Sequence, residues 1–137
     1  MSRGVSRRPG ASLVKIAVTI SRILLGIIFV VFGANLVVSF IPTPPLTGFV
    51  ADFTNVIMQS HYAMFLGAVQ VFAGVLLLVN RYVPLAIVIL APVLANILVF
   101  HLTMQPIGLP PGILATILWF VVAWPIRSRF APLFTAQ

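Results

Sequence analysis

Four long apolar runs, parted by short proline- or arginine-marked breaks, set the pattern of this chain. The first helix is expected to open near Ser12, an N-cap type after the Pro9-Gly10 breaker, and to run to about Phe40, ahead of Pro42. Its early turns are two-sided. Ser12, Lys15, Thr19 and Arg22 recur at helical spacing, with Leu13, Ile16 and Ile20 opposite, so an amphipathic collar leads into a span. Pro42, Pro44 and Pro45 then exclude regular helix, because each removes a donor and restricts the residue before it. Beyond that loop, Phe49, Val50, Phe53 and Ile57 share one face, with Asp52, Asn55 and Gln59 on the other, predicting a short helix in the membrane interface.

The later runs follow the same logic. A second span is expected over about 61–79, interrupted only by Gln70, with a tight turn at Asn80-Arg81-Tyr82. A third covers about 83–102 and contains Pro92, which should kink it and free a carbonyl one turn earlier. The fourth covers about 110–126, after Pro110-Pro111-Gly112, and Pro125 marks its inner end. With the first span at about 14–40, the fold class is all-α: a polytopic membrane four-helix bundle over residues 12–134, flanked by a basic tail (1–11) and a short C-terminal tail (135–137). Gly26 and Gly33 are seven apart, as are Gly67 and Gly74, so each pair lies on one helix face and the first two spans should pack antiparallel at close range.

Composition removes the water-soluble alternatives. The chain of 137 residues is 61% hydrophobic and 7% charged, too little polar surface to cover a globule in water. Charge then orients it. All eight Lys and Arg residues fall on one side of the four spans: Arg3, Arg7, Arg8, Lys15 and Arg22 before or at the start of the first, Arg81 in the second connection, Arg127 and Arg129 after the fourth. The positive-inside rule therefore places both termini in the cytoplasm. Arg7, Arg8, Lys15, Arg22, Arg81, Arg127 and Arg129 are read as lipid-headgroup contacts; the net charge of +7 lies beside apolar runs, so the counterions expected are anionic lipids, not nucleic acid. The first run is of span length and has no small-x-small site after it, so it is expected to be retained instead of cleaved as a signal peptide. With no cysteine, thiol redox chemistry and cysteine-ligated metals are excluded.

Candidate chemistry lies in the few polar residues that hydrocarbon should exclude. Asn35 and Ser39 in the first span, Gln70 in the second, and Asn96 and His101 in the third can converge toward the outer leaflet beneath the proline loop. Asn35, Gln70, Asn96 and His101 form the candidate ligand-binding set; the competing reading is that they bridge helices or satisfy freed backbone groups. His61, His101 and Asp52 lack any recognisable metal-ligand spacing, and no metal site is assigned. No intramembrane carboxylate or cation, phosphate cradle or metalloprotease motif is present, so no catalytic residue is assigned and no cofactor is expected, a quinone being the one candidate.

Read together, Arg22-Ile23-Leu24-Leu25-Gly26, Phe32-Gly33-Ala34-Asn35 with Pro42-Thr43-Pro44-Pro45, Asn80-Arg81-Tyr82-Val83-Pro84-Leu85-Ala86, Ala91-Pro92, Asn96 and Phe100-His101-Leu102 resemble the DoxX-like family of small four-helix bacterial membrane proteins. The resemblance covers about residues 20–134 and ends on Arg129-Phe130-Ala131-Pro132-Leu133. It implies a four-helix bundle in the bacterial inner (cytoplasmic) membrane, a name derived from the subunit of a thiosulfate:quinone oxidoreductase, and relatives that act as accessory partners in redox-stress or assembly complexes. Related sequences often carry a glutamate where this chain has Gln70; the amide keeps hydrogen bonding but cannot carry a proton. The function expected is a non-catalytic accessory or structural subunit of a larger membrane redox or energy-converting complex, in contact with the lipid bilayer and with partner subunits or further copies of itself. The alternatives are a quinone- or lipid-binding subunit of a quinone-coupled oxidoreductase, and catalysis with a redox centre supplied by another subunit.

Overall fold

The computed structural model describes residues 9–136, within which every regular element is helical. Helix α1 is Pro9–Val38, α2 Phe49–Gln59, α3 Tyr62–Leu78, α4 Val83–Thr103 and α5 Leu109–Ala123. A 3-10 turn, Pro106–Gly108, precedes α5, and a longer 3-10 stretch, Trp124–Phe134, continues it. Helical geometry is already present at Pro9, the first described residue, ahead of the expected Ser12. It stops at Val38, where Ser39 turns left-handed at φ 49°, so Ser39 and Phe40 lie past the helix instead of inside it. At the other terminus α geometry ends before Pro125, as expected, but the chain does not turn away there. It tightens into 3-10 and proceeds to Phe134.

Three segments are long and apolar enough to cross a membrane alone: 10–38 of α1, α4, and α5 with its 3-10 flanks. Helix α3 has 17 residues, about 26 Å of rise against ~30 Å of hydrocarbon, and reaches the length of a fourth crossing only when counted with α2, from which it is bent by 79°. The bend occurs at His61, left-handed at φ 61°, and α2 buries none of its residues. A two-sided helix lying nearly perpendicular to its neighbouring span is the geometry of an interfacial collar, as the pattern of Phe49 to Gln59 predicted.

Helices α1 and α4 each pack against both α3 and α5, which closes the bundle. The tightest seam joins α1 and α3. A Cβ added at Gly33 would sit 2.9 Å from the Gly67 carbonyl oxygen, and one at Gly74 2.9 Å from that of Gly26, so side-chain-free positions let the two backbones touch. Beside this seam Leu25, Phe29, Leu77, Ile87, Leu90 and Val122 are essentially inaccessible. The outward faces carry Ile27, Val31, Leu85, Val88 and Ile117, all exposed. Aliphatic surface on every side is stable only with hydrocarbon as solvent, which makes this a membrane protein.

Pro92 sits inside an uninterrupted α4. The hydrogen bond that reaches this region comes from the Trp119 indole of α5, whose Nε1 donates to the Ile87 carbonyl at 2.9 Å. That carbonyl adjoins Val88, the one that Pro92 leaves without its usual N–H partner.

Candidate functional site

Antiparallel packing gives the bundle two ends of opposite character. The loop end holds the 39–48 connection, α2, the start of α3, the end of α4 and the 3-10 turn; the basic end holds the start of α1, the α3–α4 turn and the C-terminal 3-10 stretch.

At the loop end, the polar side chains close the chain on itself. Asn35 Oδ1 accepts the Ile41 N–H at 2.7 Å, fastening the segment that leaves α1 just before its prolines. His101 Nδ1 lies 2.9 Å from the Gln105 carbonyl; since a carbonyl only accepts, this nitrogen carries the proton. The His101 ring is held edge-on to Phe100 at 5.1 Å between centroids, and Phe100 stacks on Phe53 of α2 at 5.8 Å. Gly108 completes this arrangement, because a Cβ there would occupy the imidazole's place. His61 and Asp52 are both exposed, and among the described residues no group of three His, Asp or Glu side chains converges.

The four candidate ligand residues are not brought to one cleft. Asn35 and His101 are occupied as above. Gln70 is buried in the α1–α3 seam, its Cβ within 2.8 Å of where a Gly33 Cβ would stand. Among the described residues its amide makes no hydrogen bond, yet no occluded polar side-chain atom lacks a partner, so the amide keeps access to its surroundings. Asn96 faces outward about two turns before the loop end of α4, on a stripe with Leu85, Val88, Pro92 and Val99.

The basic end is built differently. Helix α3 stops with Asn80 left-handed at φ 55°, the Arg81 N–H donating to Leu76 O at 3.1 Å and the Asn80 N–H to Leu77 O at 3.2 Å, a Schellman closure with asparagine in place of glycine. Arg22 reaches across from α1 and its Nη1 donates to the carbonyls of Leu77 and Leu78. A cation on the negative end of the α3 dipole is favourable, so Arg22 joins α1 to α3 as well as facing the membrane surface. Sequence reading gave Arg22 only the headgroup role; its signal was the antiparallel glycine register, which sets the start of α1 opposite the end of α3. Arg127 lies over the Trp124 ring at 4.7 Å and donates to the Trp124 carbonyl. Lys15, Arg81 and Arg129 are exposed; Arg7 and Arg8 lie outside the described residues. A cleft of about 660 Å³ opens between Arg22, Asn80, Tyr82 and Arg129, with Val18 and Val122 among its apolar walls.

Fold and surface together define a polytopic helical membrane protein. The model of the DoxX family matches residues 17–103, from the first turns of α1 through the end of α4, and the chain belongs to that family. No curated protein and no solved structure matches it.

Proposed function

We propose that this chain is a non-catalytic subunit of a larger membrane assembly of the redox or energy-converting kind, docked through the outward stripe of α4. The observation that carries the reading is Asn96, an amide on the exposed face of a spanning helix, about two turns before its loop end. An amide facing lipid tails leaves its donors and acceptors unpaired, whereas a neighbouring helix with a polar group at that depth satisfies them. Ala95, exposed beside Asn96, is small and lets that helix approach closely. Extraction of native membranes in mild detergent, followed by native mass spectrometry, should recover the chain with a different membrane protein, and Asn96→Leu should weaken the pair. Recovery of free monomers or self-assemblies alone contradicts the proposal.

The location we propose is a bacterial cytoplasmic membrane with both termini on the cytoplasmic side. It is supported by Lys15, Arg22, Arg81, Arg127 and Arg129, which among the described residues all lie at one end of the bundle. Because the chain has no cysteine, single substitutions report without background. Thr43→Cys should react with an impermeant maleimide in intact cells, and Ser12→Cys only after lysis; the reverse pattern inverts the topology.

A second reading, quinone binding in the assembly, is favoured by Gln70, a buried residue whose amide stays accessible and makes no hydrogen bond among the described residues. A photoreactive quinone should then label peptides around Gln70, and Gln70→Leu should abolish the label; labelling unchanged by this substitution removes the reading.

A further inference from the structure

We propose that the cleft at the basic end is a binding site for the phosphate headgroup of an anionic phospholipid. The inference stands apart from the subunit reading, since it concerns the isolated chain. It begins with a charge imbalance: eight Lys and Arg against one acidic side chain, Asp52, which lies at the opposite end of the bundle. No acidic side chain of the chain can neutralise the arginines lining the cleft. Arg22 spends one amino group on the end of α3, leaving its other donors to turn elsewhere, while Arg129 is exposed. Asn80 and Tyr82 add polar side chains from the adjoining turn. The start of α4 lacks a side-chain cap, so its first N–H groups add positive potential to the same space. The cleft is therefore cationic, rich in donors and free of carboxylates, the chemistry that selects phosphate.

Its walls identify the phosphate as a lipid's. Val18, Leu85, Val122 and Ile126 line the same cleft, and at about 660 Å³ it falls in the ~300–1,000 Å³ range of ligand sites, larger than a lone anion needs. A second depression of about 220 Å³ adjoins it toward the membrane surface, sharing Thr19 and lined by Lys15, Ile16 and Ile20 of α1, so a further cation stands beside the headgroup position. On the core side of the cleft, α1 presents the exposed Ile23 and Ile27, an apolar surface along which the acyl chain of a bound lipid can lie. Basic pockets among spanning helices bind lipid headgroups by this combination of charge and apolar wall.

The test is lipid retention by the full chain purified from vesicles of phosphatidylglycerol mixed with phosphatidylcholine, read by native mass spectrometry. Wild type should retain phosphatidylglycerol selectively, and Arg129→Gln should lower that retention about fivefold. Arg127→Gln is the charge-matched control, since Arg127 is held on Trp124 and does not line the cleft. As a general headgroup contact outside the cleft, it should lower retention by no more than about 1.5-fold. Equal loss in the two variants, or equal retention of the two lipids by wild type, overturns the proposal. Displacement of the lipid by millimolar inorganic phosphate does so too, by assigning the cleft to a free anion.

Discussion

The two ends of this bundle spend their polar side chains in opposite ways. At the loop end Asn35 and His101 bond to backbone a few residues away, so their polarity serves the closure of the chain. At the basic end Arg22 also closes a helix, but Arg129, Asn80 and Tyr82 border open space, and the only acidic side chain lies at the other end. In hydrocarbon a polar group must find a partner. Where backbone can supply it, the group is structural; where the chain offers cations and no anion at the membrane surface, water and lipid headgroups are the partners at hand.

The largest expected effect comes from breaking what holds the two ends in register. Gly67→Val would drive a branched side chain into the Gly33 carbonyl and should cost about 3 kcal/mol, seen as loss of the folded peak in size-exclusion chromatography or a large fall in thermal midpoint. Gly108→Ala sharpens the loop-end half of the comparison: the methyl group displaces the His101 ring, with an expected cost of about 2 kcal/mol by thermal unfolding in detergent. Asn35→Leu removes the acceptor for Ile41 and should cost about 1 kcal/mol, with faster proteolysis in the 39–48 loop as its local signature. Asn96→Leu is the smallest: within about 0.5 kcal/mol for the isolated chain, its effect confined to association with a partner.

Much of the fold was legible because hydrocarbon imposes simple rules. The runs bounded by Pro42 and Asn80-Arg81, the glycines seven apart and the two-sided segment from Phe49 to Gln59 each carry a local signal, and each has its counterpart in the helices. Less legible was which way a spanning residue faces. Helix α4 is apolar almost all round, so periodicity distinguishes no inner face, and nothing local tells Asn96, which points outward, from a residue of the core. The partners of Trp119 and His101 were hidden for a related reason. The Trp119 bond to Ile87 depends on how α4 and α5 meet, and the seat of His101 on a glycine seven residues later, across a turn. The basic-end cleft likewise assembles from α1, the α3–α4 turn and the C-terminal stretch, three segments with no common motif.

The contrast between the ends is tested most directly by a crossed pair of substitutions measured in two ways. Thermal midpoint in lipid-free detergent and retention of phosphatidylglycerol are compared for His101→Ala and Arg129→Gln. The expected result is a double dissociation: His101→Ala lowers the midpoint, by about 1 kcal/mol in stability, with lipid retention intact, while Arg129→Gln loses lipid with the midpoint unchanged. Loss of lipid in His101→Ala, or a lowered midpoint in Arg129→Gln without loss of lipid, contradicts the division of labour between the two ends.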